Sequence, residues 1–186
     1  MAARAEELDP ADLEVTVTPM RRRHLRGVLR IEHRVYPRPW SLGLYMSELA
    51  LPSSRVYLVA RIGPNVVGYA GLMTVAEDGH ITTVAVDPQW HRRGVGTRLL
   101  LALLDQAVSR GVHDVTLEVR MSNAAAQTMY RGFGFAPAGV RRGYYVDNAE
   151  DAMVMWAHGI GDRGERARRA RIAEAVPGRT VLEGLA

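Results

Sequence analysis

The chain of 186 residues has no cysteine, no lysine, only two phenylalanines and no apolar run approaching a membrane span. Each absence excludes something. Without cysteine there are no disulfides and no thiolate chemistry. Without lysine there is no Gly-Lys-Ser/Thr nucleotide loop. A transmembrane helix needs roughly 20 consecutive apolar residues, and none occur. The N-terminal MAARAEELDPADLE is acidic and lacks the apolar core of a secretory signal, so a cytoplasmic location is expected. The six histidines do not cluster at metal-ligand spacings, and no metal is expected. What remains is ordinary: an apolar fraction of 47% and a charged fraction of 24% suit one globular domain with a sizeable core. A net charge of +4 permits an acidic partner without requiring one, and no direct nucleic-acid contact is expected.

Periodicity and punctuation give an order of elements. Residues 1–13 read as a flexible leader. Residues 14–19, EVTVTP, alternate as a strand, and Leu25, Val28, Leu29 and Ile31 mark one face of a helix over 22–35. The prolines in Tyr36-Pro37-Arg38-Pro39-Trp40 enforce an extended connector, after which Ser41 can cap a short helix to about Ala50. Strands over 56–62, 66–75 and 80–86 are separated by Gly63-Pro64-Asn65 and Glu77-Asp78-Gly79, both hairpin punctuation. A helix over 96–109 stops at Arg110-Gly111. A strand over 114–119, a helix over 123–131 and strands over 135–141 and 152–156 complete an α/β domain spanning 14–158. From 159 to 186 the chain is Arg- and Ala-rich, with too few apolar positions for a core helix. It reads as a flexible or partly helical tail, or as a basic arm.

The most informative stretch is 84–100, VAVDPQWHRRGVGTRLL. A strand ends, a Gly-containing turn follows, and an apolar helix begins. The first N–H groups of a helix have no intrahelical partner, and the macrodipole adds positive potential there. Gly94 and Gly96 let the backbone approach a phosphate, and Arg92 and Arg93 add charge. A dinucleotide fingerprint would require a third glycine where Leu99 stands. The remaining pattern, x-x-x-Gly-x-Gly, resembles the pyrophosphate loop of the GNAT family of acetyl-CoA-dependent N-acetyltransferases, with His91 where the family usually has Gln or Arg. Residues 117–135, LEVRMSNAAAQTMYRGFGF, are similar to the signature of the RimI group within that family, which acetylates the N-terminal alanine of a small-subunit ribosomal protein. Arg141-Arg142-Gly143-Tyr144-Tyr145 and Pro39-Trp40-Ser41 extend the likeness to most of the chain.

The resemblance implies a fold and a site. The fold would be a GNAT α/β fold, a central mixed seven-stranded sheet splayed between strands 4 and 5 and flanked by about four helices. Arg92, Arg93, Gly94, Val95, Gly96 and Thr97 would hold the coenzyme A pyrophosphate. Val84, Ala85 and Val86 would lie along the pantetheine arm, with a strand N–H facing the thioester oxygen. Asn123 would bond the pantetheine amides, and Ala124-Ala125-Ala126 would keep that helix thin enough for the arm to pass. Glu118 would be the general base: alternation turns it away from Leu117 and Val119, and a partly dry cleft can raise a carboxylate's pKa. By helical spacing alone Tyr130 reads as a core tyrosine. The resemblance makes it the acid for the leaving thiolate and a neighbour of the coenzyme. Tyr36, Trp40, Tyr144 and Tyr145 would wall the acceptor groove, although Trp40 reads equally as a core plug.

The expected activity is therefore acetyl transfer to the N-terminal α-amino group of a protein, a small-subunit ribosomal protein in the RimI group. The alternatives are a lysine or small amine as acceptor, or a non-catalytic coenzyme A-binding module.

Overall fold

A computed structural model describes residues 9–185. Residues 1–8, most of the expected leader, lie outside the described residues. The rest of that segment is ordered: Pro10–Asp12 forms a 3-10 turn capped by Asp9, and Leu13 is buried in the core.

The chain runs β1 (Glu14–Pro19), α1 (Leu25–Val35), α2 (Leu42–Leu49), β2 (Arg55–Ile62), β3 (Asn65–Val75), β4 (Asp78–Val86), α3 (Val95–Ser109), β5 (Asp114–Arg120), α4 (Ala124–Gly132), β6 (Ala136–Tyr145), β7 (Glu150–Ala157), α5 (Arg163–Ala175) and β8 (Arg179–Leu182). All strands join one mixed sheet in the order β6-β7-β5-β4-β3-β2-β1-β8. No helix among the described residues is long and apolar enough to cross a membrane.

Alternation along β2 explains why the sheet is covered on both faces. Val56, Leu58 and Ala60 belong to one core with Leu99, Leu100 and Leu103 of α3. Tyr57 and Val59 belong to a second core with Val28 and Ile31 of α1 and Tyr45 of α2. β3 lies between these layers, which is why it reads as a nearly continuous apolar run. Ser41 caps α2 as expected, its Oγ accepting from Leu44 N at 3.2 Å.

The sheet is mixed and splayed as anticipated, but among the described residues it has eight strands, and five α-helices flank it. The additional strand and helix come from the segment expected to be a flexible or partly helical tail. α5 packs on α3, and β8 pairs in parallel with β1, from Glu14↔Arg179 to Val17↔Leu182. That pairing covers what would otherwise be an open sheet edge. The apolar count misled because the buried residue of α5 is an arginine. Arg169 Nε donates to Asp105 Oδ1 at 3.1 Å and its Nη1 to Ile160 O at 2.7 Å. Arg169→Ala is expected to lower the unfolding free energy by about 2 kcal/mol, as read by urea denaturation, because a buried carbonyl loses its charged donor.

Candidate active site

β4 and β5 are joined only from Asp78↔Asp114 to Ile81↔Leu117. At that point Leu72 pairs with Ile81 but Gly71 pairs with Thr83, so Thr82 is the extra residue of a bulge. Beyond it the strands part, and the gap opens into a cleft of about 440 Å³. Val84 lines it from β4, Glu118 from β5, and Asn123 and Tyr130 from α4. Tyr36 and Trp40 reach it from the α1–α2 connector, and Tyr144 and Tyr145 from the end of β6. Widely separated residues singled out in the sequence thus share one space.

The Arg92–Thr97 loop is not part of that lining but lies at the end of β4. Arg92 and Gly94 both adopt left-handed backbone, with φ of 62° and 71°. Alternating handedness of this kind turns successive N–H groups inward as an anion nest. Arg98 N donates the first intrahelical bond to Gly94 O at 3.0 Å, so the N–H groups of Val95, Gly96 and Thr97 face outward from the helix start. A Cβ on Gly96 would lie 3.5 Å from Met129 Sδ and 3.6 Å from Val86 Cγ2, which places the start of α3 between β4 and α4. His91, the departure from the family loop, donates from Nε2 to Val86 O at 3.0 Å and so ties the turn back to the strand it leaves.

Glu118 has a more crowded setting than its strand position suggested. Its side chain is 11% exposed. Oε2 lies 2.6 Å from His80 Nε2, and Oε1 accepts from Arg141 Nη1 at 2.7 Å. Burial alone would push the carboxyl up, but the hydrogen bonds and charges of His80 and Arg141 outweigh it and hold the pKa below the ordinary glutamate value. The expectation of a raised pKa is therefore wrong: the cleft is partly dry, but two donors face the carboxylate. Tyr130 shifts the other way. Burial, reinforced by the neighbouring phenols of Tyr36 and Tyr145, raises its pKa and keeps its proton in place.

Asn123 caps α4, its Oδ1 accepting from Ala126 N at 3.0 Å. Tyr36 OH lies 3.3 Å from Thr83 Oγ1 and 3.4 Å from Val84 O, tying the connector to the parted strand. Trp40 both lines the cleft and packs 5.4 Å from the Tyr45 ring. Tyr145 is covered by Arg120, whose Cζ stands 3.9 Å over the ring, and burial pushes its phenol up to about 12. Arg120 also pairs with Asp147 at 2.8 Å and Glu150 at 3.0 Å, pinning the β6–β7 turn beside the cleft.

His80, Arg141 and Glu32 were not singled out by sequence reasoning. Glu32 is a buried carboxylate at the cleft wall that accepts from the hydroxyls of Tyr45 and Tyr69 and from Trp40 N. His80 pairs with Thr116 across the seam, and that register was the missing information: Thr116 lies two residues before Glu118, so His80 stands on the same face.

The same core carries the likeness to known proteins. Residues 25–135 match the sequence model of the Acetyltransferase (GNAT) family. The ribosomal protein bS18-alanine N-acetyltransferase of Escherichia coli (strain K12) is 35% identical over 144 residues, covering 75% of this chain and 95% of its own. The N-alpha-acetyltransferase RimI of Mycobacterium tuberculosis is 37% identical over 152 residues, covering 78% of this chain and 94% of its own. A crystal structure of the ribosomal-protein-S18-alanine N-acetyltransferase from Escherichia coli matches the fold with a TM-score of 0.71 and 32% identity, over 78% of this chain and 94% of that one. Sequence match and fold coincide on the stretch that builds the parted strands, and the chain belongs to the GNAT acetyltransferase family.

Proposed function

We propose that this acetyltransferase moves an acetyl group from acetyl-CoA to the α-amino group of a protein N-terminus, with an alanine-starting protein of the small ribosomal subunit as the acceptor class. The observation that carries the reading is the parting of β4 from β5, with an anion nest at one end of the gap and an ionised carboxylate within it. Beyond the seam β4 has no strand partner on its β5 side, and an extended amide-bearing arm can run along such an edge. The loop of Arg92–Thr97 holds the pyrophosphate, residues 84–86 and Asn123 hold the arm, and acetyl-CoA supplies the activated acyl group.

Glu118 receives the acceptor nitrogen at Oε1, where the rim residue Arg141 now donates. An ammonium arriving there replaces one cation with another, so the carboxylate is never left buried without a partner. Glu118 then takes the ammonium proton, directly or through water, while His80 holds the other oxygen. Tyr130, protonated throughout, donates from its hydroxyl toward the departing sulfur. An α-amino group titrates near pH 8 and a lysine above 10, so a carboxylate with a lowered pKa is better matched to the former.

The test supplies purified protein and acetyl-CoA with an Ala-starting peptide, the same peptide blocked at its N-terminus, and a polyamine. Product on the free N-terminus alone is expected. Product only on the lysine of the blocked peptide, or only on the polyamine, overturns the acceptor assignment. Binding of acetyl-CoA with no product on any amine leaves a coenzyme-binding module.

A further inference from the structure

Arg98, in the first turn of α3, is 1% exposed, yet none of the acceptors it uses is a carboxylate. Its Nε donates to Thr180 Oγ1 at 2.9 Å, its Nη1 to Arg93 O at 3.0 Å, and its Nη2 to Pro177 O. One guanidinium thus joins the nest loop to the chain between α5 and β8. Gly94 shows how close the two lie. A Cβ there would stand 2.7 Å from Arg98 Nη1 and 2.8 Å from Val176 Cγ1, so the rear of the loop rests on both.

The C-terminal segment is itself fixed at both ends. α5 is held by Arg169 to Asp105 and Ile160, and β8 by its ladder to β1, with Arg179 N donating to Leu13 O at 2.7 Å. α5 and β8 also lie beyond residues 25–135, the part matched by the family. The loop needs such support. Left-handed backbone at Arg92, which is not a glycine, persists only where the surroundings impose it.

We propose that the α5–β8 segment braces the pyrophosphate cradle through Arg98, and so sets the affinity for the nucleotide end of coenzyme A without touching the acetyl end. Arg98 is a positioning residue in this scheme. Its fixed charge packs against the loop at Gly94, and its Nη1 holds the Arg93 carbonyl. This inference rests on reading 92–97 as the pyrophosphate cradle.

The experiment compares acetyl-CoA with S-acetylpantetheine, which lacks the pyrophosphate, and measures coenzyme A binding by calorimetry. Arg98→Met is expected to weaken coenzyme A binding about tenfold, the order seen when a group supporting a binding site is lost, and to reduce the kcat/KM preference for acetyl-CoA by a similar factor. kcat at saturating acetyl-CoA should hold. Thr180→Val, an exposed change on the C-terminal segment itself, should act in the same direction to a lesser degree, and it decides the matter if Arg98→Met does not fold. Equal loss on both acetyl donors, or an unchanged preference and affinity in both variants, overturns the brace. If the wild-type protein shows no preference for acetyl-CoA over S-acetylpantetheine, the cradle assignment fails instead.

Discussion

Glu118→Gln is expected to lower kcat/KM for an α-amino acceptor by about 10²- to 10⁴-fold, the range for loss of a positioned general base. The substitution keeps the shape and removes the charge. His80 and Arg141 then lose the carboxylate they share, so Arg141, 56% exposed at the rim, is released to solvent and the amine finds no carboxylate. Coenzyme A affinity should be unchanged, since Glu118 lies away from the nest. The pH dependence follows from the lowered pKa. Below its ordinary range the carboxyl is already ionised, so Glu118 contributes no limb at neutral pH. kcat/KM should instead hold level through neutral pH and fall above about pH 8, where the free acceptor is no longer the ammonium that Glu118 receives. Steady-state kinetics on the wild-type and variant proteins test both statements. Intact turnover in Glu118→Gln would remove it from the chemistry.

Tyr130→Phe should reduce kcat by about 10²-fold with little effect on the KM for either substrate, the signature of a donor whose bond forms in the transition state. The raised pKa of this phenol refines its role. A thiol titrates near 8.5 and an unperturbed phenol near 10, so full proton transfer from a still weaker phenolic acid to a thiolate runs uphill. Tyr130 therefore acts chiefly as a hydrogen-bond donor to the charge growing on sulfur, and solvent completes the protonation. An acyl donor with a more acidic thiol needs less of this help, so the Tyr130→Phe defect should shrink with such a donor. A defect that appears in KM instead, or one indifferent to the leaving group, would reduce Tyr130 to a packing residue against Phe135, whose ring centroid is 5.8 Å away.

What was legible in the sequence was local. Ser41 announces its cap and the two hairpins their turns, because each is fixed by residues within a few positions. The cleft membership of Tyr36, Trp40, Glu118 and Tyr130 came from resemblance rather than from spacing. What was not legible depended on register and pairing. His80 meets Glu118 only because β4 lies parallel to β5 with His80 opposite Thr116. Arg141 stands in a conspicuous run, yet nothing local says that it reaches across β7 to a carboxylate on β5. The direction of the Glu118 shift followed from those two partners and could not have preceded them. The terminal strand was hidden for another reason: Arg179–Leu182 is short and mostly exposed, and it joins the sheet by backbone bonds and by Arg98 and Arg179, which hydropathy counts as surface.

The short β4–β5 seam has a mechanical consequence. With only four residue pairs across it, the sheet consists of two plates meeting at a narrow hinge, β6-β7-β5 on one side and β4-β3-β2-β1-β8 on the other. The chain crosses from the larger plate to the smaller after α3 and returns to the far edge of the larger one through α5. That second crossing closes a covalent circuit around the hinge. The angle between the plates, and with it the width of the gap, is held by a tether on the outside of the molecule as well as by the seam.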